Sequence, residues 1–169
     1  MNKAQSRSAT SADLFSSLAA FLGLGFGSGL APKAPGTFGT LAAIPVYLLL
    51  QPAGSSVYAV VLLVSIVVGV WICGVTARQL DSHDHPAIVW DEIAGYLLTM
   101  LPFSFSMTNL IAGFVLFRLF DIVKPWPIKW VDQQVHGGLG IMLDDLIAAV
   151  FAAACLWGAI WFNLFGLFA

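Results

Sequence analysis

The chain has 169 residues, with seven Lys/Arg, nine Asp/Glu and three His, giving a formal net charge of −2. Only 9% of the residues are charged and 59% are hydrophobic, with a mean hydropathy of +0.90, whereas ordinary globular chains carry about 25% charged residues. So few charges exclude a water-soluble surface and a basic nucleic-acid face, and point to one membrane-embedded domain over 1–169.

Residues 1–13 are polar and basic and read as a cytoplasmic tail; no small-residue cleavage site follows to suggest a removed signal peptide. The apolar region 14–31 is loaded with glycine. Gly23, Gly25, Gly27 and Gly29 allow close helix packing, or the segment re-enters the membrane or lies along its interface. The overlapping stretch GFGSGLAPKAPGTFGT, 25–40, is a turn whose backbone N–H groups can cradle an anion ahead of a helix. It matches neither a GxxxxGK[ST] loop nor an in-register GxGxxG.

Charge-free stretches then run over 34–77, 93–117 and 146–169. A helix needs about 20 apolar residues to cross a bilayer, which predicts five principal segments: 38–50, 57–77, 88–101, 108–124 and 146–166. The uncharged turns at 51–56 (QPAGSS) and 101–109 fall on one side, and the charged loops on the other. Lys and Arg mark the cytoplasmic face, so Arg78, Lys124, Lys129 and the tail point inward. The expected fold is an all-α, polytopic helical bundle in the inner membrane. Cys73 and Cys155 sit in apolar runs without CxxC spacing and read as buried, inert thiols.

Segments three and four reach a spanning length only if Asp91, Glu92, Arg118 and Asp121 belong to them. Ionisable groups at membrane depth are costly and mark functional sites. In IVWDEIAG, the adjacent Asp91 and Glu92 point about 100° apart and cannot both escape to solvent. In FRLFDIVKPWPIKW, Arg118, Asp121 and Lys124 recur at three-residue spacing on one face. Pro125 ends that helix and biases Lys124 towards an extended conformation, while Trp126, Lys129 and Trp130 suit an interfacial anchor. In HGGLGIMLDDLIAAV, Asp144 and Asp145 fall where the last helix is expected to begin, near its positive dipole end. Capping alone would need one of them. DSHDHP, 81–86, reads as a polar loop.

Five carboxylates (Asp91, Glu92, Asp121, Asp144 and Asp145) thus face Arg118 and Lys124. A divalent cation would relieve their repulsion, and all-oxygen donors without His or thiolate suit Mg²⁺. With the metal, the pocket can hold a phosphate, which Arg118 and Lys124 also attract. The chain has no DxDx[TV] motif, and Cys73 lies at the wrong spacing from Arg78 for a Cys-x5-Arg loop. Metal-assisted attack by water on a lipid headgroup phosphate remains. The rival readings are a proton- or cation-coupled carrier, which also uses buried acids, and a scaffold without chemistry.

IVWDEIAG, FRLFDIVKPWPIKW and HGGLGIMLDD, with GFGSGLAPKAPGTFGTLAAIP upstream, closely resemble bacterial phosphatidylglycerophosphatase A over roughly 20–160. The resemblance implies a Mg²⁺-dependent inner-membrane enzyme that releases the terminal phosphate of phosphatidylglycerophosphate. It carries the motif roles to Asp91, Glu92, Arg118, Asp121, Lys124, Asp144 and Asp145, and those of the proline-glycine-threonine turn to Pro35, Gly36 and Thr37. Asp91, Glu92, Asp121 and the Asp144–Asp145 pair are the expected metal ligands. Asp91, Glu92, Asp121 and Lys124 are the expected catalytic groups, with Arg118, Lys124, Gly36 and Thr37 binding phosphate.

Overall fold

The computed structural model describes residues 18–82 and 85–162. Seven α-helices are present among them and no strand: α1 Leu18–Gly23, α2 Pro35–Leu50, α3 Ser55–Gln79, α4 Trp90–Met100, α5 Met107–Val123, α6 Ile128–Gln134 and α7 Gly137–Trp161. Short 3-10 turns at Gly25–Leu30 and Gln51–Ala53 flank α2. The five expected segments are α2, α3, α4, α5 and α7. The predicted tail, 1–13, lies outside the described residues.

Three of these helical stretches are long and apolar enough to cross a membrane: 35–53, 55–79 and 137–161. α4 has 11 residues, and at 1.5 Å per residue it is about 16 Å long, half of a hydrocarbon core. α7 is the central post, packed by α3, α4, α5 and α6, while α2 packs on α4 and α1 on α3. The short α4 is therefore lodged among longer helices, with Ile93, Ala94, Tyr96 and Leu97 all buried. Protein surrounds it, so its length need not match the bilayer.

The glycine-rich segment proves to be a packing device over 18–30. α1 has six residues, too few to span. A Cβ on Gly23 would collide with Thr76 Oγ1 on α3, and the Gly23 carbonyl accepts from Val89 N–H at 2.9 Å. Gly27 has φ +95°, a left-handed geometry that favours glycine and breaks the helix there.

The far end of the bundle is uncharged and closed by hydrogen bonds. Gln51 Nε2 donates to Phe103 O at 3.2 Å, joining the two uncharged turns and placing them on the same side, as the charge pattern predicts. Tyr58 Oη donates to Leu97 O at 2.8 Å and Tyr96 Oη to Leu110 O at 3.0 Å. With these hydroxyls satisfied, the tyrosine rings serve as apolar filling, and Tyr47 meets both edge-on.

Three local expectations are corrected. α7 begins at Gly137, seven residues before Asp144, because Gly138 and Gly140 let its first turns lie against neighbouring backbone. Asp144 and Asp145 are thus inside the helix, not at its start. Lys124 is left-handed (φ 44°, ψ 59°) rather than extended: its N–H caps α5 by donating to Phe120 O at 2.9 Å. Cys73 is buried as expected, but Cys155 is exposed, since an apolar run in a membrane bundle turns part of its surface outward.

Candidate active site

The opposite end of the bundle holds a cavity of about 390 Å³. Its walls bring together residues far apart in sequence: Pro35 and Gly36 from the start of α2, and Asp91 and Glu92 from the first turn of α4. Arg118, Asp121 and Lys124 come from the end of α5, and Asp144 and Asp145 from α7. α4 enters with its N-terminal end and α5 with its C-terminal end, which is why the acids of α4 and the basic groups of α5 meet although those helices run in opposite directions.

Within the cavity, Asp91, Glu92 and Asp145 each offer a carboxylate oxygen, and the three lie within 4.8 Å of one another. Asp91 Oδ1, Glu92 Oε2, Asp144 Oδ1 and Asp145 Oδ2 are buried without a hydrogen-bond donor. Buried acceptors are ordinarily satisfied, and a bound cation is one partner that would satisfy these. The donor set, all carboxylate oxygen, fits a hard ion such as Mg²⁺.

The two basic groups occupy separate stations. Arg118 Nη1 lies 2.5 Å from Asp121 Oδ2, one turn along α5, and 3.6 Å from Glu92 Oε1. Its Nε is buried without an acceptor. Lys124 Nζ donates to Asp144 Oδ2 at 2.7 Å and to Asp132 Oδ1 at 2.5 Å. Burial opposes the ammonium charge, but the bonds to Asp132 and Asp144 outweigh it and hold the lysine above its ordinary range.

Asp132 is the charged cavity residue that sequence reasoning missed. It sits on α6, eight residues after Lys124, and spacing on a continuous helix would not bring the two together. The chain folds back through Pro125 and Pro127 instead. An acid beside Trp130 in a loop otherwise passes for a solvated one, and Asp132 carries no motif of its own.

Gly36 is placed by a steric requirement. A Cβ there would collide with Glu92 Oε1 and come within 2.9 Å of Arg118 Nη1. Thr37 stands apart: its N–H donates to Ala34 O at 2.9 Å, and it is not among the lining residues. His83 and Asp84 of the polar loop lie outside the described residues, and His85 Nδ1 accepts from Ala87 N–H within its own turn at 3.1 Å. Lys129 is exposed on α6 and lines no part of the cavity. Lys129→Ala should leave the stability of the protein within about 0.5 kcal/mol of wild type, the range of ordinary surface substitutions, as measured by thermal unfolding in detergent.

A sequence model of the family described as "Phosphatidylglycerophosphatase A" matches residues 21–160. Similar curated proteins include a "Phosphatidylglycerophosphatase A" of Escherichia coli K12, 46% identical over 137 residues, 80% of each chain. The protein of the same name from Haemophilus influenzae is 41% identical over 133 residues, covering 78% of this chain and 82% of its own. A Bacteroides thetaiotaomicron protein named "Putative phosphatidylinositol-3-phosphatase" is 35% identical over 156 residues, 85% of this chain and 94% of its own. No solved structure matches. The match spans every element that contributes to the cavity, and the chain belongs to the phosphatidylglycerophosphatase A family.

Proposed function

We propose that the chain is a Mg²⁺-dependent phosphatidylglycerophosphatase of the inner membrane. It hydrolyses the terminal phosphomonoester of phosphatidylglycerophosphate to phosphatidylglycerol and inorganic phosphate, with the cavity facing the cytoplasm. One observation carries the metal requirement. Six carboxylates, counting Asp132, line the cavity with two basic groups, a formal excess of four negative charges. A phosphate dianion would be repelled from such a pocket unless cations are bound there.

Asp91, Glu92 and Asp145 would hold the ion, with Asp121 and Asp144 beside them. When bound, the cation would supply positive charge for the phosphate and make an attacking water easier to deprotonate. Arg118 Nε, buried without an acceptor, is satisfied by a phosphate oxygen. Lys124 has three N–H donors, two of them given to Asp132 and Asp144, and the third is left for the phosphate. Water oxygen bonds to phosphorus as the bond from phosphorus to the glycerol oxygen breaks. A carboxylate oxygen without a donor, such as Asp144 Oδ1, takes the water proton, and the resulting carboxylic acid returns that proton to the departing alkoxide, giving the alcohol.

A proton- or cation-coupled carrier needs ionisable groups that continue across the bilayer. The cavity at the far end is lined by Gln51, Gly54, Ser55, Tyr58, Leu101, Pro102, Phe103 and Ser104, with no charged side chain, which favours the hydrolase. The test is phosphate release by the purified protein from phosphatidylglycerophosphate in detergent. Release should require Mg²⁺, stop with excess EDTA and return when Mg²⁺ is restored. Undiminished release in EDTA would overturn the metal requirement, and no release with Mg²⁺ would overturn the substrate.

A further inference from the structure

The exposed face of α5 carries Ile111, Val115, Leu119 and Ile122, which are 55%, 56%, 51% and 68% exposed. Their spacing of four, four and three residues aligns them in one stripe along the helix. A stripe of this kind is ordinary on a membrane helix. This one differs in where it ends. Ile122 also lines the cavity, and it follows Arg118 by four residues, so it shares that side chain's face.

Among the large hydrophobic residues of the cavity wall, Ile88 and Ile141 are buried and Val135 is half-buried, whereas Ile122 is open to the outside. Other exposed apolar surfaces among the described residues, Val57 to Trp71 on α3, Leu41 to Leu49 on α2 and Val150 to Trp161 on α7, contribute nothing to the cavity. The stripe therefore connects the lipid-facing surface to the phosphate pocket. From Ile111 to Ile122 it rises about 17 Å, close to one leaflet, or half of a hydrocarbon core of about 30 Å. Trp126, 81% exposed, follows at the level expected of a headgroup-zone indole.

We propose that this stripe is the path of the substrate's acyl part. The lipid phosphomonoester stays in the cytoplasm-side leaflet with its chains along α5, and its headgroup turns over Ile122 into the cavity. Ile122 is thus a specificity-determining residue for substrates with long chains. This rests on the lipid-phosphatase reading above. It adds that recognition extends beyond the phosphate and enters sideways from the bilayer.

The experiment compares two substrates, long-chain phosphatidylglycerophosphate in mixed micelles and its water-soluble dihexanoyl counterpart, in Mg²⁺. Ile122→Asn makes the rim polar, and Ile122→Trp keeps it apolar but obstructs it. Val67→Asn, on the exposed α3 face, controls for a polar group towards lipid. The ratio of kcat/KM for long-chain over short-chain substrate should fall about tenfold in both Ile122 variants, about 1.4 kcal/mol, mainly through KM. Val67→Asn should leave the ratio unchanged.

A ratio unchanged in both Ile122 variants, or a loss equal on both substrates, overturns the path and leaves the stripe as bulk-lipid surface. If Ile122→Asn does not fold, Ile122→Trp decides alone. Wild-type protein inactive on both substrates would instead defeat the phosphatase reading, and the path with it.

Discussion

Asp145→Asn should reduce phosphate release on the order of 10³-fold and, in the same protein, raise the unfolding temperature of the metal-free form. The two effects share one cause. Asp145 is 3% exposed, and its carboxylate oxygen lies within 4.8 Å of those of Asp91 and Glu92. Two ionised carboxylates at that distance repel by about 3 kcal/mol at an effective dielectric of ~20. An amide removes one charge and offers N–H donors to acceptors that have none.

A gain of about 1 kcal/mol raises Tm by ~2–4 °C in a chain of this size. Mg²⁺ should reverse the order. At about a hundredfold its Kd it stabilises the wild type by ~2.7 kcal/mol, while the variant, lacking a ligand, gains little. Thermal unfolding in detergent with EDTA and then with Mg²⁺, alongside phosphate release, measures all of this. Equal Mg²⁺ stabilisation of both proteins would remove Asp145 from the metal site. An active variant would remove it from the chemistry.

The acids of this site are legible in the sequence because their placement has no inexpensive alternative. Asp91 and Glu92 open a helix that is apolar for the rest of its length, and no solvated face exists there to take both. Arg118 and Asp121 announce their pairing by spacing alone, since three residues along a helix bring side chains together. What spacing cannot show is contact made by a reversal of the chain. Asp132 reaches Lys124 only after α6 folds back, and Lys124 points there from a left-handed residue that the following proline does not predict.

Helix boundaries failed for a related reason. HGGLG reads as a turn when glycine is judged by its flexibility. In the fold, Gly137 takes a left-handed φ of +74°, whereas Gly138 and Gly140 are required for their size, and α7 starts through all three. Likewise, α4 is shorter than a membrane crossing because the helices packed around it, rather than the bilayer, set its length.

That distinction between flexibility and size gives the second large effect. In the helix interior, Gly→Ala ordinarily stabilises by about 0.5–1 kcal/mol, because alanine loses less backbone entropy on folding. Gly138→Ala should do the opposite. Its Cβ would collide with Val70 O and lie 2.7 Å from Gly74 N. Both are backbone atoms of α3 and have no rotamer by which to withdraw. The helices must separate, at a cost of at least ~1–3 kcal/mol.

The damage extends to the chemistry, because Asp144 and Asp145 follow Gly138 on α7. A displacement of about 1 Å in positioned groups can cost ~10²-fold in rate. Gly158→Ala, in the same helix, meets nothing within 4 Å and should be stabilising, with activity unchanged. Thermal unfolding and phosphate release of the pair decide the matter. If both substitutions stabilise, α3 and α7 do not make the close backbone contact that sets the depth of the acids.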